Sequence, residues 1–461
     1  MAEFAPNLHE QATLSTVEQL VEAQPEIVGL QSYEYFRSED IAPQKAAFLA
    51  GAIPHMQPNY PELSDTNLDR VGYPMKQALE TTMSGHESLK VSALFDAIEY
   101  RASELFLLKA AKEMNDTSKT ETERAESRDW FKLASEGLYG KPEQDVFNAI
   151  AHAKLLPLIE QAQITGINKE IADELSALLG PIGESNYEIV QPDTETMARV
   201  GALVRERFDP LMAHIDPEKI YANEEVRDAL NVVLQQLGGH ELGWQVVLTE
   251  NASVVSVSAH KKQIEVGMKR KEKSGKDLYQ VVVHELGVHT LRSINAEKAG
   301  YLSAAYGQDG YLDFEEALGM AFETAYSGGE DAHSDEYYLL AGLVYGLDGH
   351  EPRDLKAAHE IHWRFKSLLM AKGRPLESVD DSLGKSQRNA MLQEMRLFRG
   401  TDTQQSGLIY TKDLAMFNGK QSVWECLRNV HTQADLDLLL AGKLDLSRSD
   451  HRTIADHILA A

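Results

Sequence analysis

The sequence predicts an α+β protein that is mostly helical, on three observations. Apolar residues recur at helical spacing over most of the chain, as in Val91–Lys112 and Asp145–Gln163. Only the stretch from Trp244 to Gly267 is β-branched and partly alternating, the texture of short strands. A hexapeptide, His284-Glu285-Leu286-Gly287-Val288-His289, then ends an apolar run through Val281-Val282-Val283. These features divide the chain into an N-terminal helical region over 1–190, a core over 191–420 and a C-terminal helical extension over 421–461.

The elements follow in order. Between the first two amphipathic stretches, Met114–Arg128 is polar with no apolar period and reads as an exposed connection. Gly180-Pro181-Ile182-Gly183-Glu184-Ser185-Asn186 is the break before the core. Trp244–Leu248, Val254–Ala259 and Gln263–Gly267 are expected as three strands, and the basic run Lys269–Lys273 as a solvated turn. Ser274 or Asp277 caps the helix that carries the hexapeptide. Asp313 is expected to cap the next helix, with Glu315 and Glu316 in its first turn, where carboxylates suit the helix dipole. Helical spacing returns in Glu336–Leu347, Asp354–Leu369 and Ser386–Arg399; Gly400 breaks it, Gly407–Lys412 reads as a last strand, and one or two helices close the chain.

Composition removes several classes of function. With 72 Asp and Glu against 45 Lys and Arg the formal charge is −27, and such a field repels nucleic-acid phosphate and anionic membrane. Cys426 is the single cysteine, so no internal disulfide forms, which fits a reducing compartment. The first residues have neither a basic nor an apolar segment of a signal peptide, and no run reaches the ~18 apolar residues of a membrane span. A cytoplasmic protein is expected.

The hexapeptide carries the chemistry. Two imidazoles and a carboxylate are the protein half of a catalytic zinc site, with one position left for water. His284 and His289 stand at i and i+5, roughly 140° apart on a uniform helix, so an undistorted helix keeps them from one ion. One extra residue in the turn restores a shared face, so a π-type distortion is expected at Leu286–Val288, eased by Gly287. Glu316, 27 residues beyond His289, is the expected third ligand, and Glu285 the general base. Glu315 and Glu323 compete for fixing a histidine tautomer. His359-Glu360-Ile361-His362 has no evident carboxylate helix and reads as structural or surface; His333 and His350 read as solvated, and Cys426 as a packed small residue.

The stretch His284-Glu285-Leu286-Gly287-Val288-His289-Thr290-Leu291-Arg292, with Glu315-Glu316-Ala317-Leu318-Gly319, resembles the microtubule-associated tyrosine carboxypeptidase family, whose bacterial members carry a QEGLA motif. The carboxylate motif departs from QEGLA at its first, third and fifth positions. Lesser echoes are Asn59-Tyr60-Pro61, Leu138-Tyr139-Gly140-Lys141-Pro142, Arg396-Leu397-Phe398-Arg399-Gly400 and Tyr410-Thr411-Lys412-Asp413. The resemblance implies a zincin-like core with a short sheet beside the zinc helix, and ligands at His284, His289 and Glu316 with Glu285 catalytic. It also implies a zinc carboxypeptidase, aromatic in preference in characterised eukaryotic members.

A carboxypeptidase holds a free carboxylate with Arg or Lys near the metal. Arg292 and Arg399 are the first choices, ahead of Arg396, Lys412, Lys261 and Lys262, and the Tyr410 hydroxyl is a candidate for polarising the scissile carbonyl. The expected partner is a peptide or protein C-terminus, with no nucleic acid and no membrane. The alternatives are an aminopeptidase or dipeptidyl-peptidase using the same helix, and a regulatory protein that holds zinc without turnover.

Overall fold

The structure is a computed structural model that describes residues 8–83, 88–250, 255–268, 272–329, 334–379 and 381–461. Helices take up 67% of the chain, and the sheet is a minor element beside them. His333, Val254 and the Lys269–Lys271 part of the basic run lie outside the described residues.

Helix α1 (Leu89–Asn115) and helix α2 (Glu121–Tyr139) pack on each other in the N-terminal half. Between them they absorb most of the expected connection 114–128, which is thereby corrected. Thr120 caps α2 by accepting from the Glu123 N–H at 3.3 Å, while the Glu123 carboxylate accepts the Thr120 N–H at 2.8 Å. The apolar period is absent there because the first turns of α2 are exposed, but the Thr-x-x-Glu start signal was present. Helix α3 (Thr194–Phe208) begins the core, capped by Asp193.

The three expected strands form. β2 (Gln245–Thr249) runs parallel to β4 (Gln263–Gly267), with Gln245 opposite Gln263, and β3 (Val255–Ser258) runs antiparallel to β4, with Val255 opposite Val266. Central β4 buries Ile264 and Val266 fully, as a covered strand should. A short pairing of β1 (Ile220–Tyr221) with β5 (Lys273–Ser274) leads into helix α4. Ser274 and Asp277 share that helix start in a capping box, so both candidate caps act.

Helix α4 is three consecutive segments: α-helical Gly275–Val281, π-helical Val282–Thr290 and α-helical Leu291–Lys298. Helix α5 (Leu312–Ser327) packs across its middle. Tyr311, not Asp313, precedes α5; the Glu315 N–H already bonds the Tyr311 carbonyl at 3.0 Å, which puts Asp313 inside the first turn. Helix α6 (Leu355–Ala371) and helix α7 (Ser382–Leu397) pair further on.

The expected last strand, Gly407–Lys412, is not a strand. Leu408, Ile409 and Tyr410 are buried, but their backbone meets helix ends: the Tyr410 N–H donates to the Leu397 carbonyl and the Thr411 N–H to the Ser135 hydroxyl. Thr411–Leu414 then forms a 3₁₀ turn. Apolar β-branched spacing marks burial in an irregular segment as readily as in a strand.

Two apolar cores result, and neither follows a boundary near residue 190. One joins α1, α2, α3, the sheet, α4, α5 and the C-terminal residues Leu436, Leu440 and Leu444. The other joins Phe147, Ile150, Leu175, Leu343, Phe365 and Leu397. Among the described residues, no helix is long and apolar enough to cross a membrane.

Candidate metal centre

The site is built where α4 crosses α5. The expected helix distortion covers Leu286–Val288, within the π segment. It brings the imidazoles of His284 and His289 to 4.9 Å between ring centroids, at 67°. One ligand atom each of His284, His289 and Glu316 lies within 4.8 Å of the others. A cation held at ~2.0–2.2 Å from each would draw the three side chains closer together.

Two local contacts support the widened turn. The Thr290 hydroxyl, fully buried, donates to the Glu285 carbonyl five residues back at 2.8 Å. Gly287 fits beneath the Phe208 ring of α3, where an added Cβ would stand 2.8 Å from a ring carbon. Close packing against Phe208 is therefore a stronger reason for this glycine than backbone freedom.

Both competing carboxylates take a histidine. His289 Nδ1 donates to Glu315 Oε1 at 2.9 Å, and His284 Nδ1 lies 3.3 Å from Glu323 Oε2. An ionised carboxylate can only accept, so each bond places a proton on Nδ1 and leaves Nε2 as the nitrogen that can bind a cation once the ring is neutral. Glu323 sits two turns along α5 from Glu316 and reaches a different imidazole from the one Glu315 holds.

The electrostatics suit a cation. Burial alone disfavours the charged His284, but the Glu323 bond and the nearby Glu285 and Glu316 outweigh it and hold its pKa up to about 9 in the metal-free protein. Burial pushes the Glu285 carboxyl up, only partly offset by the two imidazoles. For Glu316 burial is outweighed by Lys412, His289 and His284, which keep it below the usual carboxylate range. His284, Glu285 and Glu316 are half-buried and each keeps some solvent exposure.

Gly319, the last residue of the carboxylate motif, makes room for the first histidine. A Cβ there would stand 2.9 Å from His284 Cε1 and Nε2. Sequence reasoning passed over this role, although the glycine lay one turn beyond Glu315 on the helix face that carries the site.

The cations sort themselves by partner. Arg292 is fully buried; its guanidinium binds Glu315 and donates to the Leu444 carbonyl at 2.5 Å. It therefore supports Glu315 from behind and has no free face for a substrate carboxylate, which corrects that expectation. Lys443 joins it at 3.2 Å from Glu315. Together they hold the Glu315 carboxyl far below its usual range against burial. Lys261 binds Glu34 at 2.7 Å, Lys262 binds Glu297, and Arg396 grips Asp413 through two bonds of 2.9 and 2.7 Å. Among the described residues, Arg399 and Lys412 have neither an ion pair nor a hydrogen-bond partner for their side chains, and both are half-buried. Tyr410 is 1% exposed with its hydroxyl 2.7 Å from Ser32 Oγ, so it packs and does not face the site.

The other histidine pair has a carboxylate after all. His359 and His362 on α6 direct Nδ1 to the two oxygens of Glu394 on α7, at 2.8 and 2.9 Å, and Glu394 is fully buried. His350 is exposed, and Cys426 packs half-buried against the first core. No family model, no curated protein and no solved structure matches the chain.

Proposed function

We propose that this protein is a zinc metallocarboxypeptidase with a zincin-like core, in which the short sheet flanks the zinc helix. The observation that carries the reading is the convergence of His284, His289 and Glu316 on one point, with both imidazoles held by carboxylates through Nδ1. A shared-face N/N/O donor set is what zinc takes when one position is left for chemistry. When bound, zinc supplies a Lewis acid that activates water and polarises the scissile carbonyl.

The chain's own groups do the rest. Glu285 adjoins the first ligand, lies on the solvent-reached side, and has a carboxyl pushed upward by burial. A base poised in that way accepts the proton of the attacking water and passes it to the leaving amine. A purely structural site has no use for such a group and closes all four positions with protein. The resemblance to the microtubule-associated tyrosine carboxypeptidases supports the exopeptidase class, with a peptide or protein C-terminus as substrate.

The test combines three measurements. Metal analysis should find one zinc per chain, lost in His284→Ala and His289→Ala. Glu285→Gln should keep zinc and lose hydrolysis by several orders of magnitude, at least the ~10²–10⁴ of one acid–base group. A peptide library with either end blocked should lose its cleavage with a C-terminal amide and keep it with an acetylated N-terminus. Hydrolysis by Glu285→Gln at the wild-type rate would refute the mechanism, and cleavage of the amidated peptides would favour the aminopeptidase or dipeptidyl-peptidase class.

A further inference from the structure

Resting on the carboxypeptidase reading, we infer that Lys412, and not Arg292, is the group that receives the free carboxylate of the substrate. The inference begins with elimination by contact. Of the cations near the metal centre, Arg292 and Lys443 are committed to Glu315 and Arg396 to Asp413. Lys412 is half-buried and has no ion-pair or hydrogen-bond partner among the described residues. A half-buried ammonium on a chain with 72 carboxylates is unusual in lacking one.

The segment that follows Lys412 packs against the helix that carries Glu316. The Thr411–Leu414 turn continues into Ala415–Asn418, and the backbone of Gly419 then presses on the first turn of α5. A Cβ at Gly419 would stand 1.9 Å from the Asp313 carbonyl oxygen and 2.9 Å from Ala317 Cβ, three residues before and one after Glu316 on that helix. The Lys412 Nζ lies 5.1 Å from the centre of the Tyr33 ring. The Tyr33 hydroxyl is turned away onto Gln31 Oε1 at 2.5 Å, so the ring face, not the hydroxyl, meets the ammonium. Asp413, the adjacent carboxylate, is engaged by Arg396 through both of its oxygens.

Lys412 is also the cation that most strongly counteracts burial at Glu316. Lys412 supplies none of the converging ligand atoms, which leaves its ammonium for a substrate group. A carboxylate bound there belongs to the residue whose preceding carbonyl meets the metal. The ligand class is an α-carboxylate, and the consequence is a strict requirement for a free C-terminus. Arg399, also without a partner among the described residues, is the comparison.

The experiment uses zinc-loaded protein and one peptide in two forms, free acid and C-terminal amide. In a Glu285→Gln background, which cannot turn over, calorimetry measures binding of both. The acid should bind tighter than the amide, and Lys412→Met should abolish that difference, a loss on the order of tenfold or more. Lys412→Arg should restore part of it, and Arg399→Met should leave it in place. With Glu285 intact, Lys412→Met should raise KM for the acid peptide far more than it lowers kcat. Unchanged acid preference in Lys412→Met overturns the inference and leaves the hydrolase reading standing, as does loss of the preference in Arg399→Met alone. No cleavage of any free-acid peptide by the zinc-loaded wild type overturns the hydrolase reading and the inference together.

Discussion

Gly319→Ala is a one-carbon test of the proposed centre. The new methyl would stand 2.9 Å from His284 Cε1 and Nε2 and 3.1 Å from Nδ1, whereas ordinary contact begins at 3.4 Å. The imidazole therefore has to give by about 0.5 Å, more than the ~0.2 Å tolerance of a metal–ligand distance. It has little freedom to do so, because Nδ1 is tied to Glu323 and the backbone lies in the buried π segment. The substitution should weaken zinc binding by about 10–100-fold, the loss typical of disturbing a ligand's orientation, or about 1.4–2.8 kcal/mol. Competition with a chromophoric chelator reads the affinity, and circular dichroism of the metal-free protein checks that the fold persists. Glu323→Gln, which disturbs the same histidine from its other nitrogen, should lose a similar factor. If Gly319→Ala binds zinc within threefold of wild type, then His284 does not occupy the described position when metal is bound, and the ligand assignment fails.

Three other outcomes are expected. Glu315→Gln should destabilise the protein by about 3–5 kcal/mol in urea unfolding, because it strands Arg292 and Lys443 as buried charges; a change under about 1 kcal/mol would show that their charges are met elsewhere. Glu394→Ala should be similarly costly, since His359 and His362 lose their shared acceptor in the second core, and it should leave zinc content unchanged. His451 is depressed to about 4 by burial and by Arg448, and its Nδ1 accepts the Asp445 N–H at 2.8 Å, which requires the neutral ring. The unfolded chain binds that proton near pH 6.5, so the contribution is complete above about 6.5 and is lost as pH falls toward 4. Urea titrations across that window should show a slope that His451→Gln removes, and equal slopes would refute the assignment.

Much of the ligand set was legible in the sequence because it is local. The i, i+5 spacing of His284 and His289 fails on a regular helix, and that failure itself announces the π segment. Glu316 follows within one helix, and the three short strands were marked by their β-branched residues, although their burial does not alternate. Contacts between distant segments were not legible. Glu394 lies 32 residues from His362 and at no fixed spacing to it, so its role depends on how α6 and α7 pack. Arg292, three residues after His289, looked like a cation at the site, but three residues on this helix turn it behind Glu315, into the core closed by Leu444.

The same distinction explains the two glycines. A motif records which residues are present, while Gly287 and Gly319 matter for what they leave out: each yields its Cβ space to an aromatic ring from another segment, Phe208 in one case and His284 in the other. The π turn would otherwise be a costly irregularity in a buried helix. It persists because its surroundings fit it, with Thr290 bonding the Glu285 carbonyl from within the helix and Phe208 filling the space over Gly287 from outside. The reward is geometric: the added residue rotates two imidazoles onto one face while Glu285, adjacent to the first, stays on the side that solvent reaches. A helix regularised by deleting one residue of the spacer would bring the histidines to i, i+4, yet it would move Thr290 and Arg292 off their present partners. The distortion and the support around Glu315 are thus one arrangement, and neither is understood without the other.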